Sequence, residues 1–183
     1  MRMVVGMTGA TGAILGIRTL QVLADLGIET HLVLSKWAEA TIALETPFSV
    51  SEVRRMAAKA YSYNDQAAAI SSGSFRTDGM VIVPCSMKSL ASIRAGYGDN
   101  LLMRAADVTL KESRKLVIVP REMPLSEIHL ENMLKLARMG VKIVPPMPAF
   151  YNKPETIEDI VDHIVCRILD QFGIDNNLSP RWM

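Results

Sequence analysis

The side chains that could do chemistry gather in three short loops, each following a run of apolar residues. The first loop reads Gly6-Met7-Thr8-Gly9-Ala10-Thr11-Gly12-Ala13. Glycines there let backbone N–H groups approach a phosphate at the positive end of a following helix. The spacing is G-x-x-G-x-x-G rather than G-x-G-x-x-G, and the next apolar run ends in Ser35 where a dinucleotide site wants an acidic residue for the ribose. The loop therefore suits a nucleotide or flavin phosphate and argues against NAD. The glycines alone would equally serve a tight strand-to-helix turn with no ligand.

The second loop, Pro84-Cys85-Ser86-Met87-Lys88-Ser89, puts hydroxyl groups at a helix start, where Ser86 is a natural N-cap. Cys85 reads as a packing residue rather than a nucleophile, because no histidine stands beside it in sequence. The third loop, Val119-Pro120-Arg121-Glu122-Met123-Pro124, holds a guanidinium and a carboxylate between two prolines, as a rigid charge-aiming loop or a surface ion pair would. Elsewhere Arg104, Lys111, Arg114 and Lys115 load one helix and its end with positive charge, which is ordinary dipole complementarity. Arg167 follows Ile164-Val165-Cys166, so it points inward, along a cleft, or snorkels at the surface. His31, His129 and His163 stand at no metal-ligand spacing, and no metal is assigned.

The elements that must position these loops alternate between short β-like runs and longer helical periods. The strand candidates are Met3–Met7, Thr30–Leu34, Gly79–Val83, Leu116–Val119 and Val141–Val144. Between them lie helical patterns over Ala13–Leu26, Lys36–Leu44, Ser86–Ala95, Leu101–Glu112, Leu125–Met139 and Thr156–Phe172, with a short helix expected over Glu52–Ala60. Gly27, Gly96, Gly140 and Gly173 stand where helices should stop. The pattern predicts an α/β fold: one Rossmann-like (flavodoxin-like) domain over residues 1–183, with a parallel sheet flanked by helices. In such sheets ligands bind outside the carboxyl ends of the strands, where the three loops should converge.

Composition narrows the function classes. With a formal net charge of +1, no global field draws in nucleic acid or an anionic membrane, so any anion must be held locally. Two distant cysteines, Cys85 and Cys166, argue against a disulfide framework and fit a reducing cytoplasm. No apolar run approaches a membrane span, and the opening residues read as a first strand rather than a signal peptide. The twelve methionines are mostly core filler.

Taken together, Thr8-Gly9-Ala10-Thr11-Gly12-Ala13, Ser35-Lys36, Gly73-Ser74-Phe75, Pro84-Cys85-Ser86-Met87-Lys88, Arg104-Ala105-Ala106-Asp107-Val108, Lys111-Glu112, Arg121-Glu122, Pro148-Ala149-Phe150-Tyr151 and Arg181-Trp182 resemble the UbiX-like flavin prenyltransferases. The resemblance implies that Gly9, Ala10, Thr11, Ser35, Ser86, Met87, Lys88, Ser89 and Arg121 cradle FMN, whose reduced form is co-substrate. It implies that Lys111, Arg121, Tyr151 and Arg167, with Arg104 and Trp182, hold dimethylallyl phosphate, some of them across a subunit boundary. Glu122, Glu45, Thr11 and Lys111 are then the catalytic candidates. A homo-oligomer, a dodecamer, and delivery of prenylated FMN to a UbiD-type decarboxylase are further implications.

Thr11 stands where many members carry serine and Met123 where threonine is common, which bears on a proton relay and on loop hydrogen bonding. Two other readings compete: an FMN-dependent decarboxylase of related fold, and a flavin carrier without chemistry. A carrier has no need of the second anion site that Lys111, Tyr151 and Arg167 imply.

Overall fold

The computed structural model describes residues 1–182. Its elements run β1 (Arg2–Met7), α1 (Ala13–Asp25), β2 (Glu29–Leu34), α2 (Lys36–Glu45), α3 (Val50–Arg55), β3 (Lys59–Tyr61), β4 (Gly79–Cys85), α4 (Met87–Ala95), α5 (Leu101–Lys111), β5 (Lys115–Pro120), α6 (Glu127–Arg138), β6 (Lys142–Ile143) and α7 (Ile157–Asp170). The six strands form one parallel sheet in the order β3-β2-β1-β4-β5-β6. The order reverses between β1 and β4, which opens a crevice at their carboxyl ends.

Central strands covered on both faces read as continuous apolar runs rather than alternating ones, and β4 buries every one of its residues. One face packs against α1 and α7 through Ile17, Leu20, Leu23, Val165 and Ile168. The other packs against α4, α5 and α6 through Leu90, Leu101, Leu102 and Leu136. The expected doubly wound α/β architecture is what the chain adopts, and all four helix-stopping glycines have positive φ, from 66° to 89°.

One element departs from expectation. The helix over Glu52–Ala60 stops at Arg55, and Lys59–Tyr61 pairs instead with His31, Leu32 and Val33 as an edge strand. Three residues are too few to show a period, and what holds them lies thirty positions away, where the Tyr61 hydroxyl meets His31 Nδ1 at 2.8 Å. The other differences are end shifts: Ser86 and Ser126 cap their helices from outside, and β6 has two residues.

Helix α1 lies unusually close to the sheet because Gly16 has no side chain. A Cβ there would stand 2.5 Å from the Val83 carbonyl oxygen and 2.6 Å from Met7 Cε. Gly16→Ala must push α1 off β4, and such overpacking costs about 1–3 kcal/mol. The variant's urea midpoint should fall accordingly; an unchanged midpoint would show that the contact has slack.

At the opposite edge Glu29 joins β1 to β2, accepting from Arg2 Nε at 2.8 Å and facing His31 Nε2 at 2.9 Å. The Arg2 hydrogen bond, followed by that of His31, holds its carboxyl at about 2. A lowered carboxyl pKa contributes stability that is complete above the unfolded value, about 4.3, and lost as pH falls through the folded one. The stability gap between the parent chain and Glu29→Gln should be flat from neutrality to about pH 5 and close below about 4.3. Urea midpoints measured across that range check it, and a gap that persists at pH 2 would refute it.

Candidate functional site

The crevice is built around Thr8. Its hydroxyl donates to the Pro84 carbonyl at 3.0 Å and accepts from the Ser86 amide at 2.8 Å, while the Thr8 amide donates to Pro84 O at 3.1 Å. These buried bonds join the loop after β1 to the loop after β4. Neighbouring loops are tied on in turn, with Ser35 N donating to Met7 O and Arg121 N to Cys85 O. All four loops are thus registered to one another by backbone groups.

A cleft of about 190 Å³ opens there, lined among others by Gly9, Ser35, Trp37, Tyr63, Ser86, Lys88, Ser89 and Asn100. Three of these are helix N-caps: Ser35 Oγ accepts from Ala38 N, Ser86 Oγ from Ser89 N and Asn100 Oδ1 from Met103 N. With α1, four helices aim their amino ends at one place, and each N-terminus carries partial positive charge. Among the described residues the amides of Gly9 and Thr11 have no hydrogen-bond partner. They are free to meet an anion.

The amino end of α1 itself is taken. Gly12 N and Ala13 N donate to Glu45 Oε2 at 2.8 and 3.1 Å, so a carboxylate of the chain sits where a ligand phosphate was expected to meet this helix. Packing requires glycine at position 9, since a Cβ there would lie 2.2 Å from Trp37 Cβ. Burial pushes the Tyr63 hydroxyl's pKa up, with the charge of Asp99 adding to it. Burial alone raises the Cys85 thiol to about 12, which keeps it protonated and fits its reading as a packing residue.

The flavoprotein family matches residues 1–169. A probable UbiX-like flavin prenyltransferase of Escherichia coli O157:H7 is 65% identical over 183 residues, all of this chain and 93% of the relative. The chain belongs to this family, among the UbiX-like flavin prenyltransferases. Two solved structures align with it closely. A dodecameric FMN-dependent UbiX-like decarboxylase from Escherichia coli O157:H7 aligns with a TM-score of 0.99 at 65% identity, with all of both chains covered. AnUbiX (PadA1), in complex with FMN and dimethylallyl pyrophosphate, aligns with a TM-score of 0.98 at 58% identity, covering all of this chain and 97% of the other.

In this UbiX-like chain the residues expected to cradle a flavin stand together: Gly9, Ser35, Ser86, Lys88 and Ser89 line the cleft, and Ala10 and Thr11 continue its first loop. Met87 packs its side chain into the core beneath instead. Arg121 and Glu122 lie exposed on the adjoining loop and do not pair with each other; Glu122 Oε1 accepts from Met123 N at 3.1 Å.

The residues expected at the prenyl donor are dispersed. Lys111 pairs with Glu112 at the far end of α5, ~16 Å along the helix from Asn100. Arg104, one turn in, bonds Asp107 at 2.6 Å and Ser71 O at 3.1 Å. Arg167 lies half exposed, which corrects the inward-pointing option, and lines a groove with Lys142, His163 and Gln171. The Tyr151 ring stands edge-on to Trp182 at 5.2 Å and to His163 at 5.5 Å.

Sequence reasoning missed Thr8 as the joining residue and missed Trp37, Tyr63, Tyr97, Asp99 and Asn100 on the cleft wall. Only Asn100 carried a local signal, as an N-cap type before an apolar helix.

The Thr8 hydroxyl serves two buried partners, so Thr8→Val leaves an amide and a carbonyl short of a bond at a cost of about 1–3 kcal/mol. Thr8→Ser should retain parental stability and Thr8→Val should not. Equal urea midpoints for the two variants would remove this hydroxyl from the account.

Proposed function

We propose that this chain is a flavin prenyltransferase that moves a dimethylallyl group from dimethylallyl phosphate onto reduced FMN. The observation that carries the reading is the convergence of the amino ends of α2, α4 and α5 with two unpartnered amides in the loop before α1, beside a cleft walled by Trp37, Tyr63 and Tyr97. A phosphate fits the amides and a flat ring system fits the aromatic wall. A relative at 65% identity is named a probable UbiX-like flavin prenyltransferase, and a solved structure at 58% identity is a complex with FMN and dimethylallyl pyrophosphate.

When bound, reduced FMN supplies N5 and C6 as the nucleophilic atoms. The C–O bond of the donor would break with departure of the phosphate, and a C–N5 bond would form as the N5 proton leaves. A proton added to the remaining prenyl double bond would let C6 close the fourth ring and release its own proton, so that the net change is one C5H8 unit gained and one proton released with the phosphate. Lys111, Arg121 and Arg167, with Arg104, are assigned to neutralise the departing phosphate, because fixed cations in a dry site favour ionisation. Tyr151 and Trp182 offer aromatic faces to the developing allylic charge. Glu122 is assigned to carry the proton, while Glu45 holds the first loop through the amides of Gly12 and Ala13.

These donor residues occupy separate places on one chain, so the site is completed in a homo-oligomer, read here as a dodecamer. The large apolar side chains left exposed, Trp37, Leu44, Ile128, Phe150 and Ile157 among them, support an assembly that covers them. The whole chain acts as one domain in the cytoplasm and passes prenylated FMN to a UbiD-type decarboxylase. No helix is long and apolar enough to cross a membrane among the described residues.

Anaerobic incubation with reduced FMN and dimethylallyl phosphate, followed by mass spectrometry of the flavin, tests the reading. A flavin heavier by one C5H8 unit is expected. Glu122→Gln should bind FMN as the parent does and form product about 10²–10⁴-fold more slowly, the usual contribution of a proton-transfer group. An unmodified flavin with the parent chain would overturn the assignment, and parental rates in the variant would remove Glu122 from it.

A further inference from the structure

Beyond α7 the chain doubles back along the helix, and four side chains with no role so far meet it there: Asn152, His163, Asp170 and Ser179. Ser179 is 9% exposed and His163 7%, and the hydroxyl lies 3.2 Å from His163 Nδ1. Asn152 Nδ2 donates to the same hydroxyl at 3.3 Å, so one oxygen joins both side chains. Asn152 Oδ1 is buried without a partner. Turning the amide over would bury the NH2 group unpaired instead, so Asn152 accepts an unsatisfied group in either orientation.

Two residues beyond Ser179, Arg181 grips Asp170 with both terminal guanidinium nitrogens, at 3.1 and 2.8 Å, while Arg167 Nη1 reaches the same carboxylate at 2.6 Å. Burial would raise the Asp170 pKa, but the hydrogen bond and charge of Arg181, and then those of Arg167, outweigh it and hold the carboxyl below the usual aspartate range. Next to Arg181, Trp182 stands against Tyr151, whose ring lies between two aromatic neighbours at 84° and 85°.

We propose that Asp170 and the Asn152–Ser179–His163 chain are positioning residues for the donor phosphate: they pin the segment after α7 so that Tyr151, Arg167 and Arg181 stand preset as one anion-receiving group. The inference rests on the transferase reading above and adds Arg181 as a second guanidinium. Two guanidinium groups on one carboxylate keep a net positive charge without repelling each other apart. A fork already held in place loses little freedom on meeting a phosphate. His163 acts through the Tyr151 ring, and Ser179 through both the imidazole and the segment.

Full-length Asp170→Asn, Ser179→Ala and Ser179→Thr decide the matter through three readings: donor KM against kcat, FMN affinity, and hydrogen exchange of the segment that follows α7. Asp170→Asn and Ser179→Ala should speed exchange in that segment and raise the KM for dimethylallyl phosphate about tenfold, the low end for losing a charge-assisted contact, with FMN affinity unchanged. Ser179→Thr keeps the hydroxyl and should restore the parental KM. If Asp170→Asn does not fold, the two Ser179 variants carry the test. An unchanged donor KM beside a loosened segment overturns the inference, and so does an FMN affinity that falls in step with the donor's. A parent chain without turnover is a different failure: it sinks the transferase reading and this inference with it.

Discussion

In a sheet whose strands all run one way, a helix that directly follows a strand begins at the edge where that strand ends. That constraint brings the amino ends of α1, α2 and α4 to one side of this molecule, where the start of α5 joins them at Asn100, and with them come partial charges that no side chain has to supply. A chain with a formal net charge of +1 has no long-range field to spend on an anion, so this local summation is its means of holding one. Thr8 makes the summation precise, because its buried hydroxyl fixes the loop after β1 against the loop after β4 at the point where strand order reverses.

The same constraint explains why one chain is an incomplete donor site under the proposed reading. Helices that start at the crevice must end away from it, and Lys111 rides the far end of α5. Arg167 belongs to a third region, where α7 and the stretch from Lys142 to Met147 form their own groove, and Tyr151 stands against His163 of that groove. Cations so placed serve a common phosphate only when copies of the chain bring their separate surfaces together. Under that reading the exposed apolar side chains are the surface such an assembly would cover.

What the sequence made legible follows the range of the forces involved. The central strands were readable because burial on both faces leaves uninterrupted apolar runs, and the helix stops because Gly96 and Gly140 take backbone conformations other residues avoid. Ser35 and Ser86 were readable as site residues because capping is a local act that happens at the crevice. β3 was not, since Lys59–Tyr61 becomes a strand through its pairing with β2 and the His31–Tyr61 bond. Tyr63 and Tyr97 reach the cleft from loops without period or cap, and nothing in their neighbours announces it. The resemblance to a known family supplied the donor residues, which no spacing in this chain would have gathered.

Glu45 and Glu122 show how the fold divides two carboxylates that the sequence offers as equals. Glu45 ends α2 and receives two amides from the start of α1, so it closes the first loop from outside and takes up the positive end of that helix. Moving it to exchange a proton would strip α1 of its cap, because Gly12 provides none. Glu122 is held only by the amide of the next residue, on an exposed loop that its neighbour Arg121 ties to Cys85 through the backbone. Its oxygens can change partners without unsettling a helix. On the proposed reading, the proton-carrying role therefore falls to Glu122, while Glu45 keeps the loop shaped so that the amides of Gly9 and Thr11 stay available to a phosphate.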